Sequence, residues 1–410
     1  MKAFKLLTLL CLSYSGILFA NDTNSSLDGF ISDYKQLQFQ YDYEKNEAQS
    51  SKLRDSWIAP LQINYSYSKS NPYNVEQSSQ NAAIRMNQPI FQSGGIYYGI
   101  KFANASKYYS EYSIDVAKRK MIKDAITILM QIKQTQLKEK KQELQIKNTQ
   151  INLEQKKEEY FSGQLDSGFL DDAIIQKNNA VLALYDIQTS KEKLISSFHV
   201  LSDLDYKKAV IPHLKLLENE EFLKHNIVLQ MQKAQTEKNR YNKNVTIAKY
   251  LPQVSLTAGY NWRLTTNQAF QVGSTIVSNS NELNYYDYGI SASIPLDINT
   301  FRDIESAKVD YLKAKVVQQD KKRELNSLYE QVMHNIENFN KKITLSSENI
   351  RLYSKLLEDT KELYRAGYKT EYDIQTLKNS LKIQRINTNI YELDKQLELL
   401  NLYEMYINGE

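Results

Sequence analysis

Hydrophobic and polar residues alternate one by one in four short runs of the chain, and between those runs the apolar positions recur with helical spacing. In the first run, Pro60 to Ser68, Leu61, Ile63, Tyr65 and Tyr67 oppose Gln62, Asn64, Ser66 and Ser68. In the second, Asn81 to Phe91, Ala82, Ile84 and Met86 oppose Arg85 and Asn87. The third, within YLPQVSLTAGYNW, sets Val254, Leu256, Ala258, Tyr260 and Trp262 against Ser255, Thr257, Gly259, Asn261 and Arg263. The fourth sets Tyr286, Tyr288, Ile290, Ala292 and Ile294 against Asp287, Gly289, Ser291 and Ser293. Successive side chains of a strand point to opposite faces, so each run predicts a strand with one apolar and one polar side.

Taken singly, such a run also suits a soluble antiparallel sheet with one solvated face. Together the four form two hairpins, 59–91 and 252–295, with helical sequence on both flanks. Strands of about ten residues, apolar on one side and polar on the other, are what a membrane barrel requires. Tyr67, Tyr260, Trp262, Tyr286 and Tyr288 lie toward the loop ends, as an aromatic interface belt would. Arg85 and Arg263 fall on the polar faces and are expected in the barrel interior, since an arginine facing mid-bilayer costs about 2–4 kcal/mol. Four strands cannot enclose a wet lumen, because a barrel that small fills with side chains. An open edge in lipid would strand unpaired backbone groups. Several copies must therefore share one sheet, and three chains of four strands make the smallest assembly that leaves a channel.

Between the hairpins the period changes. The stretch 95–160 lacks proline and carries heptad seams Leu137, Leu144, Ile151 and Ile146, Leu153, Tyr160. The stretch 302–364 also lacks proline and carries Leu345 with Leu352, and Ile350, Leu357, Tyr364. Two seams on one helix imply packing against more than one neighbour, and each helix would reach about 95 Å. Return helices are expected over 169–205 and 371–407, about 55 Å each, and helices 27–57 and 216–249, about 50 Å each, lead into the hairpins. A return helix plus a lead-in helix matches one long helix, so the shorter pieces are expected to stack end to end beside the uninterrupted ones.

Proline and glycine supply the punctuation. Pro60 and Pro252 stand where helix gives way to strand, and Pro89 and Pro295 where strand gives way to helix, positions at which a missing donor ends a ladder. Pro72 and Pro212 fall in a loop and in the linker between halves. The chain thus reads as an internal duplication, 21–210 and 211–410, each half running helix, hairpin, long helix, turn, helix. The turns, YFSGQLDSGFLDD at 160–172 and YRAGYKTEYD at 364–373, place Gly163 and Gly367 three residues after Tyr160 and Tyr364, where a left-handed residue stops a helix. The tip turns are expected at 161–168 and 365–370. Asp171 or Asp172 would cap the first return helix, and Asp373 the second.

Composition narrows the function. The formal charge of +4 over 410 residues argues for no nucleic-acid partner. Residues 1–20, with Lys2 and Lys5 before an apolar stretch and Ala20 at its end, read as a secretory signal peptide. Cys11 lies inside it, so the exported chain would carry no thiol chemistry. No later stretch approaches the apolar length of a membrane helix, which leaves strands as the means of crossing a bilayer. His199, His213, His225 and His334 are scattered without metal-ligand spacing, and no phosphate-binding loop or nucleophile elbow occurs. Neither an enzyme nor a cofactor or metal site is expected.

The order and spacing of QPIFQSGG, LPQVSLTAGY, SIPLDI and the two glycine-bearing turns resemble the outer-membrane efflux protein family, the TolC-like exit ducts, over essentially the whole exported chain. The resemblance implies a mixed α/β membrane protein, a homotrimer whose shared twelve-stranded antiparallel barrel lies in outer-membrane lipid and continues into a long periplasmic helical barrel. It implies a periplasmic adaptor (membrane fusion) protein and a proton-driven or ATP-driven inner-membrane transporter as partners, with small molecules, drugs or metal ions as cargo. Secretion of protein is the alternative cargo. In relatives an aspartate six residues after the second tip glycine helps form a constricting ring. Asp373 holds that place, while Thr376 replaces a further ring carboxylate. Tyr160, Gly163, Gly168, Asp171, Asp172, Tyr364 and Gly367 would form the tips that meet the adaptor. Asp171, eight residues after Gly163, and the extra Gly168 depart from the pattern. The remaining rival is an exported coiled-coil scaffold or adhesin whose strands form a soluble cap.

Overall fold

The computed structural model describes residues 27–71, 76–267, 271–272, 275–276 and 279–407. The expected signal peptide with Cys11, and Pro72, lie outside the described residues.

A 3₁₀ turn at Asp28–Phe30 precedes α1 (Asp33–Arg54). Strands β1 (Gln62–Ser70) and β2 (Gln77–Phe91) follow, then α2 (Gly95–Phe161) and α3 (Ser167–Leu201). The second half holds α4 (Asn219–Lys224), α5 (Ile227–Lys249), β3 (Gln253–Asn267), two-residue strands β4 (Gln271–Val272) and β5 (Thr275–Ile276), β6 (Asn279–Ser293), α6 (Thr300–Arg365) and α7 (Glu371–Tyr403). The two hairpins merge into one antiparallel sheet, order β1-β2-β3-β6. Its centre is the pairing of β2 with β3, in which Ala82 faces Trp262 and Arg85 faces Gly259. β1 and β6 are left as edges.

Helices α2 and α6 run 67 and 66 residues, about 100 Å each. The shorter helices join end to end beside them. The Ser32 amide donates to the Leu201 carbonyl at 2.8 Å and the Asp33 amide to the Asp203 carboxylate at 3.0 Å, setting the start of α1 on the end of α3. The Ile227 amide donates to Met405 O at 2.8 Å and the Ile407 amide to His225 O at 3.0 Å, setting α5 on α7 in the same way. Helices α1 and α3 pack on α2, α2 packs on α5 and α7, and these pack on α6. The result is one layer of four helical columns, in the order α1/α3, α2, α5/α7, α6.

The main core lies midway along this layer, where the two junctions and the linker 202–218 gather around α2 and α6. Phe198, Phe222, Ile126, Leu129, Met130 and Ile132 are fully enclosed there. Each such side chain contributes about 1.5–3 kcal/mol through burial. Long single helices have few tertiary neighbours over most of their length, so this belt carries the density a globular core would.

Several boundaries differ from the sequence reading. The helix expected over 216–249 breaks at His225–Asn226, because the Asn226 side chain caps α5 by accepting from the Leu229 amide at 3.1 Å while its backbone bridges to Tyr406. That bridge also ends α7 at Tyr403 instead of 407. The helix expected over 27–57 begins only at Asp33, capped by Ser32, and ends at Arg54. The first return helix runs 167–201, not 169–205, and the strands begin at Gln62 and Gln253.

Candidate functional site

Two regions hold the side chains singled out by the sequence: the sheet and the helix tips. The register puts Ile63, Tyr65, Ile84, Leu256, Tyr260, Tyr286, Tyr288 and Ile290 on one face. Most of these are strongly exposed in the single chain. Tyr286 and Tyr288 stack with centroids 6.3 Å apart, and the Trp262 indole N–H donates to Glu282 at 2.7 Å. Tyr67, Tyr260, Trp262, Tyr286 and Tyr288 share this face but fall in four successive rows, because Tyr67 is level with Leu264, Trp262 with Asn284, Tyr260 with Tyr286, and Ala258 with Tyr288. They form a slanted patch, not one level line.

The opposite face is polar and hydrogen-bonded. Arg85 Nη2 donates to Asn261 Oδ1 at 2.9 Å, and Asn261 Nδ2 donates to Asp287 Oδ1 at 2.7 Å. Gly259, between Arg85 and Asp287 in the register, makes room for this: a Cβ there would lie 2.7 Å from the Asp287 carboxylate. Four residues further toward the loops, Arg263 Nε donates to Asn81 Oδ1 at 2.8 Å. Arg85 and Arg263 thus share the polar face. The partners Asn261, Asn81 and Asp287 carried no sequence signal of their own beyond strand parity.

At the far end, Gly163 (φ 76°) and Gly367 (φ 80°) adopt the left-handed conformation. The Gly163 and Gln164 amides donate to Tyr160 O and Glu159 O at 3.0 and 2.9 Å, and the Gly367 and Tyr368 amides to Tyr364 O and Leu363 O at 3.0 and 2.9 Å. Both tips are therefore the same Schellman stop. The return helices also start alike, with caps Asp166 and Thr370 each three residues after the glycine. This corrects the reading of the first tip. Asp166 caps α3, accepting from the Gly168 amide at 2.7 Å, so neither Asp171 nor Asp172 does. Gly168 sits inside the first turn of α3, and the position matching Asp373 is Phe169, which is exposed.

Asp373 closes a capping box: its carboxylate accepts from the Thr370 amide at 2.9 Å, while Thr370 Oγ1 accepts from the Asp373 amide at 3.3 Å. These bonds, with Lys369 at 3.7 Å, hold its carboxyl below the usual carboxylate range. Thr376 follows on the same helix, half-buried. The neighbouring Tyr372 hydroxyl donates to Glu158 Oε1 at 2.8 Å, and Asn379 Nδ2 to Asn148 Oδ1 at 2.9 Å, lacing α7 to α2. Neither link was legible in the sequence. Among the described residues no cluster of His, Cys, Asp and Glu could hold a metal, and no helix is long and apolar enough to cross a membrane.

Solved structures with this fold include outer-membrane channels. The CmeC channel of Campylobacter jejuni is 14% identical, with a TM-score of 0.72 over 98% of this chain and 92% of that one. VceC of Vibrio cholerae is 14% identical, with a TM-score of 0.67 over 93% and 95%. The open state of MtrE from Neisseria gonorrhoeae is 14% identical, with a TM-score of 0.62 over 92% and 87%. At such identities the likeness establishes the fold. No curated protein sequence matches the chain. Residues 220–406 match the family model described as outer membrane efflux protein. The match to that model lies in the second half of the chain, and the fold shared with the channels runs through both halves.

Proposed function

We propose that the chain is the protomer of a homotrimeric exit duct in a tripartite export system, carrying small molecules, drugs or metal ions from an inner-membrane transporter and a periplasmic adaptor to the exterior. The observation that carries this reading is the open sheet: four strands, apolar on one face, with β1 and β6 unpaired at its edges. β1 and β6 run in opposite directions, so the β6 edge of one copy can accept the β1 edge of the next antiparallel. Repeating that step closes a ring, and three copies give the twelve strands a water-filled barrel needs.

The helical layer supports the same closure. Its edges are the α1/α3 column and α6. Tyr34, Leu37 and Tyr41 make an exposed stripe on α1, and Val309, Leu312 and Val316 make one on α6 with the same spacing. Counted along their helices, the α1 stripe lies about 20–30 Å and the α6 stripe about 14–24 Å below the strands, overlapping heights at which neighbouring copies would cover them. The tips from Tyr160 to Asp172 and from Tyr364 to Asp373 form the closable periplasmic end and the adaptor contact. Asp373 and Thr376 line the throat there once three copies assemble. The charge on three Asp373 carboxylates then favours a wet opening over tight dry contact.

The test is reconstitution of the purified chain. Trimers in detergent and stepwise ion conductance in a planar bilayer are expected. A monodisperse, water-soluble monomer that never associates with membranes would overturn the proposal in favour of a soluble scaffold.

A further inference from the structure

The polar face of the sheet is almost without charge. Among the described strand residues it presents mostly glutamines, asparagines, serines and threonines, with Ala83, Leu283 and Tyr285 among them, and three ionised side chains: Arg85, Arg263 and Asp287. The loops add little. Residues 264–281 contain no charged residue in sequence, and Glu76 of the first loop is ion-paired with Lys69, whose strand parity puts it on the other face.

The three charges are not equivalent. Arg85 and Asp287 flank Gly259 in one register row and are joined through Asn261, which is only 6% exposed. Its amide donates to the carboxylate and accepts from the guanidinium, so its orientation is fixed by both charges. The two ionised groups are locked to one amide and largely cancel. Arg263 has only the neutral Asn81 as hydrogen-bond partner, and among the described residues no carboxylate pairs with it. A neighbouring β1 would bring no acid either, since its polar face is Gln62, Asn64, Ser66, Ser68 and Ser70.

We infer that the outer exit of the duct favours small anions, and that Arg263 sets this preference while Asn261 holds Arg85 and Asp287 as a self-neutralised pair. The inference rests on the duct reading, with the polar face as the lumen wall. Each chain then contributes one uncompensated positive charge to that wall, and three chains place a ring of them near the exit. A low-dielectric wall around a narrow water column concentrates counter-ions of the opposite sign.

A cysteine reporter tests it. Ser66, Asn81 and Arg263 share one register row, and Asn81 Nδ2 reaches Ser66 Oγ at 3.4 Å. Ser66→Cys therefore sits two strand spacings, about 10 Å, from Arg263 on the same face. In reconstituted trimers, modification rates by an anionic and a cationic methanethiosulfonate are compared, each added from the exterior side. The anionic reagent is expected to be favoured, and Arg263→Gln to lower the anionic-to-cationic rate ratio about threefold at 10 mM salt. Arg263→Lys, which keeps the charge, should leave the ratio unchanged, and Asp287→Asn should raise it. Modification of Ser66→Cys with a ratio indifferent to Arg263→Gln would overturn the inference and leave the duct standing. If Ser66→Cys is inert while Tyr65→Cys on the other face reacts, the lumen assignment itself fails.

Discussion

The Tyr372 hydroxyl, in the first turn of α7, donates a hydrogen bond at 2.8 Å to the carboxylate of Glu158, in the last turn of α2. It ties the tip of the second half to the tip of the first, and Asn379 donating to Asn148 repeats the link about two turns further along the same two helices. Its acceptor raises the tyrosine pKa above the ordinary value. A raised value means the link is fully present below the normal tyrosine range and is lost as pH climbs through the raised one. Tyr372→Phe should leave the far-ultraviolet spectrum unchanged and increase single-channel conductance or open time at neutral pH. Identical traces from variant and parent would remove the link from any gating role.

The two tip glycines should be equally intolerant of a side chain, for a reason that is purely backbone. A Cβ at Gly163 or Gly367 meets nothing within 4 Å, yet both residues have φ near +80°. Gly163→Ala and Gly367→Ala should each cost about 1–2 kcal/mol, read as a lower midpoint for local proteolysis at the tips. Matching losses at both sites would follow from their identical turn geometry.

Phe198 is fully enclosed at the junction of α3, α1 and the linker. Phe198→Ala should cost about 3–5 kcal/mol and depress the yield of assembled trimer, because the belt around it joins all four helical columns. A yield and melting temperature equal to the parent's would show that the columns hold without it.

The capping box of α7 should make the tip acid-sensitive. The Asp373 carboxyl is held below its ordinary range, chiefly by the Thr370 amide, so its contribution is present at neutral pH and lost as pH falls through the depressed folded value. Thr370→Ala should destabilise the helix start by about 1 kcal/mol at pH 7. Asp373→Asn, which removes the titrating carboxyl itself, should flatten the fall in melting temperature between pH 5 and pH 3. A variant with the parent's full acid sensitivity would show that the box is not its source.

Strand parity was legible from the sequence because side chains in a strand alternate whatever the strand pairs with. Leu256 and Ser255 are fixed on opposite sides by that fact alone, as are Arg263 and Trp262. The stops at Gly163 and Gly367 were legible too, since only glycine takes the left-handed conformation without strain. Partnership was not. That β2 pairs with β3 depends on segments more than 160 residues apart meeting in one register, and no local pattern encodes that register. The break at Asn226 was hidden because neither proline nor glycine marks it between 216 and 249, and only the bridge to Tyr406 makes a cap there better than another helical turn. The first tip was misread because three aspartates compete for one cap. Spacing cannot choose among them, and the return of the chain does, by bringing Asp166 to the free amides of α3. The sequence by itself thus determined where each element lies and which way its faces turn, since those follow from bonds within a few residues. Only the tertiary structure decided which distant groups satisfy one another, Tyr372 with Glu158 and Arg85 with Asn261 among them, because such pairings exist only once the chain has folded back on itself.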